Sequence, residues 1–278
     1  FMRPAGSMPS NHRCIVDDVL PKNLKCDARW STPCGTVTVV MGDSLEVIPQ
    51  IKRKSIGALI SDPPYGNTNI EWDSMVCNLE FWTKSLPLLN SQDAAVVLFS
   101  CGLATRELMH RSPFYRYKYV WVKPGLATGH LDVARRPMRA HEDVLIFSRH
   151  QPRYFPQKTP GKLIKRRAGV QAKAKHWKTR DVVLPESQST TRYPTDVLTF
   201  ERDKNKVLGH QTMKPVALME FLVRSYCPPA DVCLNPFGGS GSTAVACMNA
   251  GIRCVTIERE RQWFDCIVAR LRTHKVPK

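Results

Sequence analysis

Nowhere in this chain do two cysteines stand three residues apart. The ten cysteines (Cys14, Cys26, Cys34, Cys77, Cys101, Cys227, Cys233, Cys247, Cys254 and Cys266) are scattered. Structural metal sites usually show tight ligand pairs, so no metal is expected. Several of these residues fall inside apolar periodic segments, where a free cysteine behaves as a small buried hydrophobe. The expectation is reduced thiols in a cytoplasmic protein. Long apolar runs are missing as well. None approaches the roughly 20 residues that span a bilayer, and no signal peptide is recognisable. There is no Walker loop and no GxGxxG fingerprint, which argues against a nucleotide held by its pyrophosphate. Acidic residues are scarce: 24 Asp and Glu face 41 Lys and Arg, a net charge of +17. Such an excess favours a polyanionic partner.

What is present fits one sizeable α/β domain with an insertion, or two small domains, in 278 residues. The opening "FMRPAGSM" (1–8) is expected to be a cloning remnant, with Met8 the native start. Short aliphatic or β-branched runs at 36–43, 56–62, 94–100, 117–123 and 143–149 predict strands. Later segments predict a helix over 213–227, a strand over 231–237, a helix over 242–251 closed by Gly251, a strand over 253–258 and a helix over 260–272. Alternating strands and helices imply a mainly parallel sheet covered on both faces. Between the halves lies "RHQPRYFPQKTPGKLIKRRAGVQAKAKHWKTR" (149–180), with 11 Lys and Arg and no acid. Apolar periodicity nearly vanishes there, and Tyr154, Phe155 and Trp177 are interleaved with the charges. A loop-rich basic insertion that contacts nucleic acid suits this composition better than a plain solvated face.

Two stretches carry chemistry. "NPFGGSGST" sits between a predicted strand and helix, and Glu258 ends the next strand, 17 residues after Gly241. Glycines in such a turn let backbone approach a ligand, and a terminal acid at this spacing suits ribose hydroxyls. A nucleoside without a pyrophosphate is the better fit. The second stretch is "DPPY", Asp62-Pro63-Pro64-Tyr65, directly after the run 56–61. Read alone, it is equally a strand-ending turn with a capping acid. His141-Glu142 opens another strand, where a structural histidine is commoner than a catalytic pair.

"DPPY" followed far downstream by "FGGSG" (237–241) resembles the amino-DNA methyltransferases, and the order resembles their β class. "GDSLEVI" (42–48), "RRPMRAHEDVLIFSR" (135–149), "YPTDVLTF" (193–200) and "HQTMKP" (210–215) extend the similarity over about 34–272. The resemblance implies a Rossmann-like S-adenosylmethionine methyltransferase fold, circularly permuted, with a mixed, mostly parallel sheet. It divides the chain into an N-terminal arm (9–33), a catalytic half (34–148), a target-recognition insertion (149–192) and a cofactor-binding half (193–278). It also implies a cytoplasmic protein of bacterial or phage origin, a duplex DNA substrate, a homodimer, and S-adenosylmethionine converted to S-adenosylhomocysteine without a metal.

By the same resemblance Asp43 reaches the adenine of the cofactor and Glu258 its ribose. Phe237, Gly239, Ser240, Gly241 and Ser242 form the turn under its methionine part, with Asp62 nearby. His210, Thr212 and Lys214 help hold the methionine carboxylate. The family often has Asp where this chain has Asn235, which could still accept a bond from the methionine ammonium but without charge. Asp62 and the Pro63 carbonyl would accept the hydrogens of a flipped base amine, Pro63 and Pro64 stiffening the backbone. Tyr65 would stack on the base. From its polar, Gly-containing composition 66–74 reads as a loop that could close over the base, with Trp72 and Asp73 ordering it or Asp73 capping a helix, and the resemblance places the 135–149 block beside the base pocket. Asp rather than Ser at position 62 resembles adenine-N6 enzymes more than cytosine-N4 ones. The alternatives are a cytosine-N4 enzyme, an inactive DNA-binding module or an RNA methyltransferase. DNA contacts are expected from Arg135, Arg136, Arg153, Lys158, Lys162, Lys165, Arg166, Arg167, Lys173, Lys175, Lys178 and Arg180.

Overall fold

The computed structural model describes residues 16–66, 77–112, 114–171, 182–203 and 213–277, with side chains left undescribed at Asp17, 170–171 and 182–184. The expected site residues His210, Thr212, Lys173, Lys175, Lys178 and Arg180, and the loop residues Trp72 and Asp73, lie outside them. The chain divides into two compact units, one of Phe1–Phe155 with Asp196–Lys278, the other of Pro156–Thr195.

The larger unit is built on one sheet. Its strands are β1 (Ala28–Ser31), β2 (Val37–Met41), β3 (Ile56–Ser61), β4 (Ala95–Ser100), β5 (Tyr115–Val122) and β6 (His141–Phe147), then β11 (Val197–Thr199), β12 (Val232–Asn235) and β13 (Arg253–Glu258). The gap in numbering belongs to the smaller unit, which holds β7 (Thr159–Arg166), β8 (Gly169–Gln171), β9 (Val182–Leu184) and β10 (Ser187–Arg192). Across the sheet the order is β1-β2-β13-β12-β3-β4-β6-β5-β11. The central five, β2 to β4, are mutually parallel, and β6 runs antiparallel between β4 and β5. This is the mostly parallel α/β fold expected, with the late strands β12 and β13 inserted between the early strands β2 and β3.

The central strands are short and mostly apolar because both faces are covered. "IGALIS" of β3 and "VCLN" of β12 are buried at every position. Alternate residues go to opposite layers. Ala58, Ile60, Val97 and Phe99 pack with Leu218, Leu222, Val245 and Ile267, which lie on α4 (Val216–Tyr226), α5 (Ser242–Ala250) and α6 (Arg261–Thr273). Leu59, Val96 and Leu98 pack with Val47, Phe81, Trp82 and Leu108, from α1 (Ser44–Val47), α2 (Leu79–Ser85) and α3 (Leu103–Arg111). In α6 the buried Phe264, Ile267, Val268 and Leu271 repeat at helical spacing. Gly251 closes α5 at φ +67°, its N–H bonded to the carbonyls of Cys247 and Met248.

From β12 the chain moves to β13 on one side, whereas from β3 it moves to β4 on the other. Such a reversal leaves a crevice beyond the carboxyl ends of the two strands, where ligands bind in open α/β sheets. "DPPY" follows β3 and "PFGGSG" follows β12.

The smaller unit differs from the loop-rich reading of this segment. β7 pairs antiparallel with β10, and β8 with β9. Every residue of β7 is exposed. A strand with two wet faces needs no apolar alternation, which is why the sequence concealed it. Among the described residues no helix is long and apolar enough to cross a membrane, and no group of three or more His, Cys, Asp and Glu is placed to hold a metal ion.

Candidate active site

A cavity of about 830 Å³ opens at the crevice. Its wall includes Asp62–Tyr65 from the end of β3, Pro236–Ser240 from the turn after β12, Glu258 from the end of β13 and Asp43 from the end of β2. Two motifs separated by most of the chain thus share one space.

On one side the Gly-rich turn is built around Glu258, whose carboxylate accepts the Gly239 N–H at 2.6 Å and the Glu260 N–H at 2.8 Å. Burial pushes this carboxyl up in spite of those donors. A carboxylate has about four acceptor sites, so the group keeps capacity for a further donor. A Cβ at Gly238 would lie 2.9 Å from both Ile267 Cδ1 and Thr256 Cγ2, so any larger residue would force side chains of α6 or β13 to shift. Gly241 takes φ +80° at the start of α5, a conformation that disfavours side chains. Arg270 of α6 donates to the Ser240 carbonyl at 2.8 Å and to Ser242 Oγ at 3.3 Å, bracing the turn from behind. Asp43 caps α1 by accepting the Leu45 N–H at 2.7 Å. Phe237 stacks on Phe81, with centroids 5.9 Å apart.

On the other side is an ion network. Lys214, only 6% exposed, places Nζ 2.5 Å from Asp62 Oδ2 and 3.2 Å from Glu142 Oε2. Glu142 also pairs with Lys123. Tyr65 Oη donates to Asp62 Oδ1 at 2.5 Å. The antiparallel strand explains the gathering. β6 begins where β4 and β5 end, with Glu142 opposite Trp121 in register, so its first residues meet the carboxyl ends of its neighbours. Lys123 follows β5 directly, and Lys214 precedes α4.

The charges hold one another in place. Burial alone would push the Lys214 ammonium down, but the carboxylates of Asp62 and Glu142 hold it above the usual lysine range. Burial would raise Glu142, yet Lys214 and Lys123 keep it below an ordinary glutamate. For Asp62 burial wins, and its carboxyl is pushed up against the pull of Lys214. Burial and the charge of Asp62 push Tyr65 well up, so its hydroxyl stays a donor.

Several site residues sit differently from the sequence expectation. Lys214, expected to help hold the methionine carboxylate, lines the same cavity as the Gly-rich turn and contacts the Asp62 and Glu142 carboxylates, which the sequence did not suggest. Asn235 is 1% exposed, and its Oδ1 accepts from Ser61 Oγ at 2.5 Å and from the Phe237 N–H at 3.4 Å. That oxygen ties β3 to β12, while Nδ2 has no partner among the described residues. What Asn235 has in reserve is therefore a donor, where an acceptor for an ammonium was expected. Arg153, expected on DNA, is bonded to Asp93 at 3.0 Å and Asn90 at 2.9 Å, with Asp231 at 3.4 Å. Arg153 is thus a structural clamp within the larger unit. Arg135 and Arg136 are exposed, Arg136 beside Asp132. Lys158, Lys162, Lys165, Arg166 and Arg167 are exposed on the smaller unit, Lys158 with its ammonium 4.3 Å from the Tyr193 ring centroid. Lys123 and Arg270 were not singled out in the sequence, because nothing local marks them.

The residues present suit a nucleoside-bearing sulfonium cofactor: a carboxylate with free lone pairs at Glu258, a close-approach glycine turn, and a second carboxylate at Asp43 lining the same cavity.

Residues 56–269 match the family profile described as DNA methylase, N6/N4 type. Type II methyltransferase M1.MboII of Moraxella bovis is 25% identical over 244 residues, covering 79% of this chain and 90% of that protein. Type II methyltransferase M.HinfI of Haemophilus influenzae is 24% identical over 267 residues, 86% of this chain and 69% of that one. Among solved structures, the M1.HpyAVI–SAM complex superposes with a TM-score of 0.57 at 21% identity, covering 84% of this chain and 98% of that one. The PvuII DNA methyltransferase, cytosine-N4-specific, gives a TM-score of 0.63 at 16% identity, covering 86% and 87%. At such identity these two likenesses concern the fold.

Proposed function

This chain belongs to the N6/N4 DNA methylase family, and from that membership we propose that it methylates the exocyclic N6 of an adenine flipped out of duplex DNA, using S-adenosylmethionine. The observation that carries this reading is the single cavity shared by Asp62–Tyr65 and the Glu258-centred glycine turn. S-adenosylmethionine, when bound, supplies an electrophilic methyl group on a sulfonium. Glu258 would take the ribose hydroxyls on its remaining lone pairs, Asp43 the adenine amino group, and the backbone of Phe237–Ser242 would pass under the methionine part.

The work of the other half is to activate a poor nucleophile. An exocyclic amine delocalises its lone pair into the ring. Asp62 and the Pro63 carbonyl accept its two hydrogens and favour a pyramidal nitrogen, while the Tyr65 ring supports the base. Both oxygens of Asp62 are engaged in this structure, by Lys214 and by Tyr65. The amine must therefore share an Asp62 oxygen with Lys214 or Tyr65, or displace one of them. The proton that leaves the nitrogen goes to Asp62, whose raised carboxyl is a better acceptor than an ordinary aspartate.

Asp at position 62, where the cytosine-N4 enzymes often have Ser, supports adenine. The test is tritiated cofactor with duplex DNA, followed by digestion to nucleosides. Label is expected in N6-methyldeoxyadenosine, and Asp62→Ala should abolish it while duplex binding by anisotropy persists. Label in N4-methyldeoxycytidine, or only in RNA, overturns the reading.

A further inference from the structure

Between β5 and β6 the chain leaves the sheet as "PGLATGHLDVARRPMRA" (124–140) and returns. The excursion is ordered from within. Thr128 and Arg139 exchange both backbone bonds at 2.9 Å and close its neck. Above the neck the Asp132 N–H bonds the Gly129 carbonyl at 3.1 Å, and the N–H groups of Arg135 and Arg136 bond the Asp132 carbonyl at 2.8 and 3.0 Å. Arg136 and Asp132 are also joined through their side chains. At the apex stands Leu131, 101% exposed, with Val133 and Met138 also exposed on the same loop. A leucine in this position contributes nothing to the packing of the fold. It belongs to the wall of the cavity that holds Asp62, together with Leu126, Thr128, Gly129 and Arg139.

We propose that Leu131 is a wedge that enters the duplex and fills the space left by the target base as that base moves into the cavity beside Asp62. The inference rests on the base-flipping reading above and adds to it the residue that holds the gap. Three observations converge on DNA as the occupant. The leucine borders the cavity that contains Asp62, so it stands where the strand must part with its base. Arg135 and Arg136, exposed on the same loop, bring charge that phosphates require, Arg136 while paired with Asp132. The loop is braced before any partner arrives, so little order has to be created on contact. Apolar side chains inserted between base steps offset lost stacking in other DNA-bending proteins, and extruding a base from an intact pair is the costly part of flipping.

The experiment compares wild type and Leu131→Ala on two duplexes carrying the sequence mapped by methylation-sensitive sequencing of DNA from cells expressing the protein. One duplex is fully paired, and the other has an abasic site opposite the target. On the paired duplex Leu131→Ala should lower kcat/KM roughly 10- to 100-fold, and on the abasic duplex it should come within about twofold of wild type, because extrusion there needs no wedge. Leu131→Phe should retain most activity on both. An equal loss on both duplexes, or no loss on the paired one, overturns the wedge while leaving the methyltransferase reading intact. A wild type that methylates no DNA overturns both. Sedimentation of Leu131→Asp without DNA supplies the remaining check: a change of oligomeric state would make this surface a contact between copies of the chain and sink the proposal.

Discussion

Asp62, Lys214 and Glu142 form a line of alternating charge, and the sign of each neighbour is what can be tested. Asp62 must be ionised to accept an amine hydrogen, so activity falls as pH drops through its pKa. Burial raises that pKa, Lys214 lowers it and Glu142 raises it. Removing the lysine removes a lowering influence. Lys214→Met should therefore move the acid limb of the kcat/KM profile to higher pH, and Glu142→Gln should move it lower. Opposite displacements are the expected outcome; a common displacement, or none, would mean that Asp62 does not govern the limb. The residue scale is also where sequence reasoning was weakest. Lys214 meets Asp62 across 152 positions and Lys123 meets Glu142 across 19. Neither pairing leaves a local pattern: the register of β5 and β6 brings Lys123 to Glu142, and the placement of the start of α4 over the end of β3 brings Lys214 to Asp62. Asn235 illustrates the same limit: its type is visible in the sequence, but which face of its amide is occupied depends on Ser61, 174 positions away.

Strands and helices were far more legible. β3, β4, β12 and β13 are buried on both faces, so their composition alone marks them, and α4 and α6 carry the helical apolar period that packs them on the sheet. The elements missed were β1, half-buried at the sheet edge, the short α1, α2 and α3, the three-residue β11, and the wet hairpin β7–β10. One glycine inside a core strand is a constraint of its own. A Cβ on Gly57 of β3 would fall 2.3 Å from Asp231 Cβ, an atom close to the backbone that cannot swing aside. Gly57→Ala should lower unfolding stability by about 1–3 kcal/mol, measured as a reduced urea midpoint at unchanged m-value. Because β3 ends in Asp62, activity should fall as well. An unchanged midpoint would show that β3 and the start of β12 can separate without cost.

Over the whole molecule charge is unevenly shared. The unit Pro156–Thr195 holds ten Lys and Arg against Asp181 and Glu186. If the exposed cations of its first strand and the turn beyond meet phosphates, each contributes about 0.9 to the slope of log affinity against log salt. Replacing Lys162, Lys165, Arg166 and Arg167 with Gln should flatten that slope in fluorescence anisotropy across a salt series. At saturating DNA, kcat should stay near wild type, since the cavity is built without these residues. A slope identical to that of the wild type would remove them from the interface.

The placement of β12 and β13 between β2 and β3 also dictates a timetable. Until residues 232–258 have been synthesised, β2 has only β1 beside it and β3 only β4. The nascent chain therefore carries two unpaired, mostly apolar strand edges through most of translation, the kind of surface that associates wrongly. The same late segment delivers the glycine turn and Glu258. Closing the sheet and completing the cofactor side of the cavity are one event, so a chain interrupted before it has neither a finished core nor a complete site.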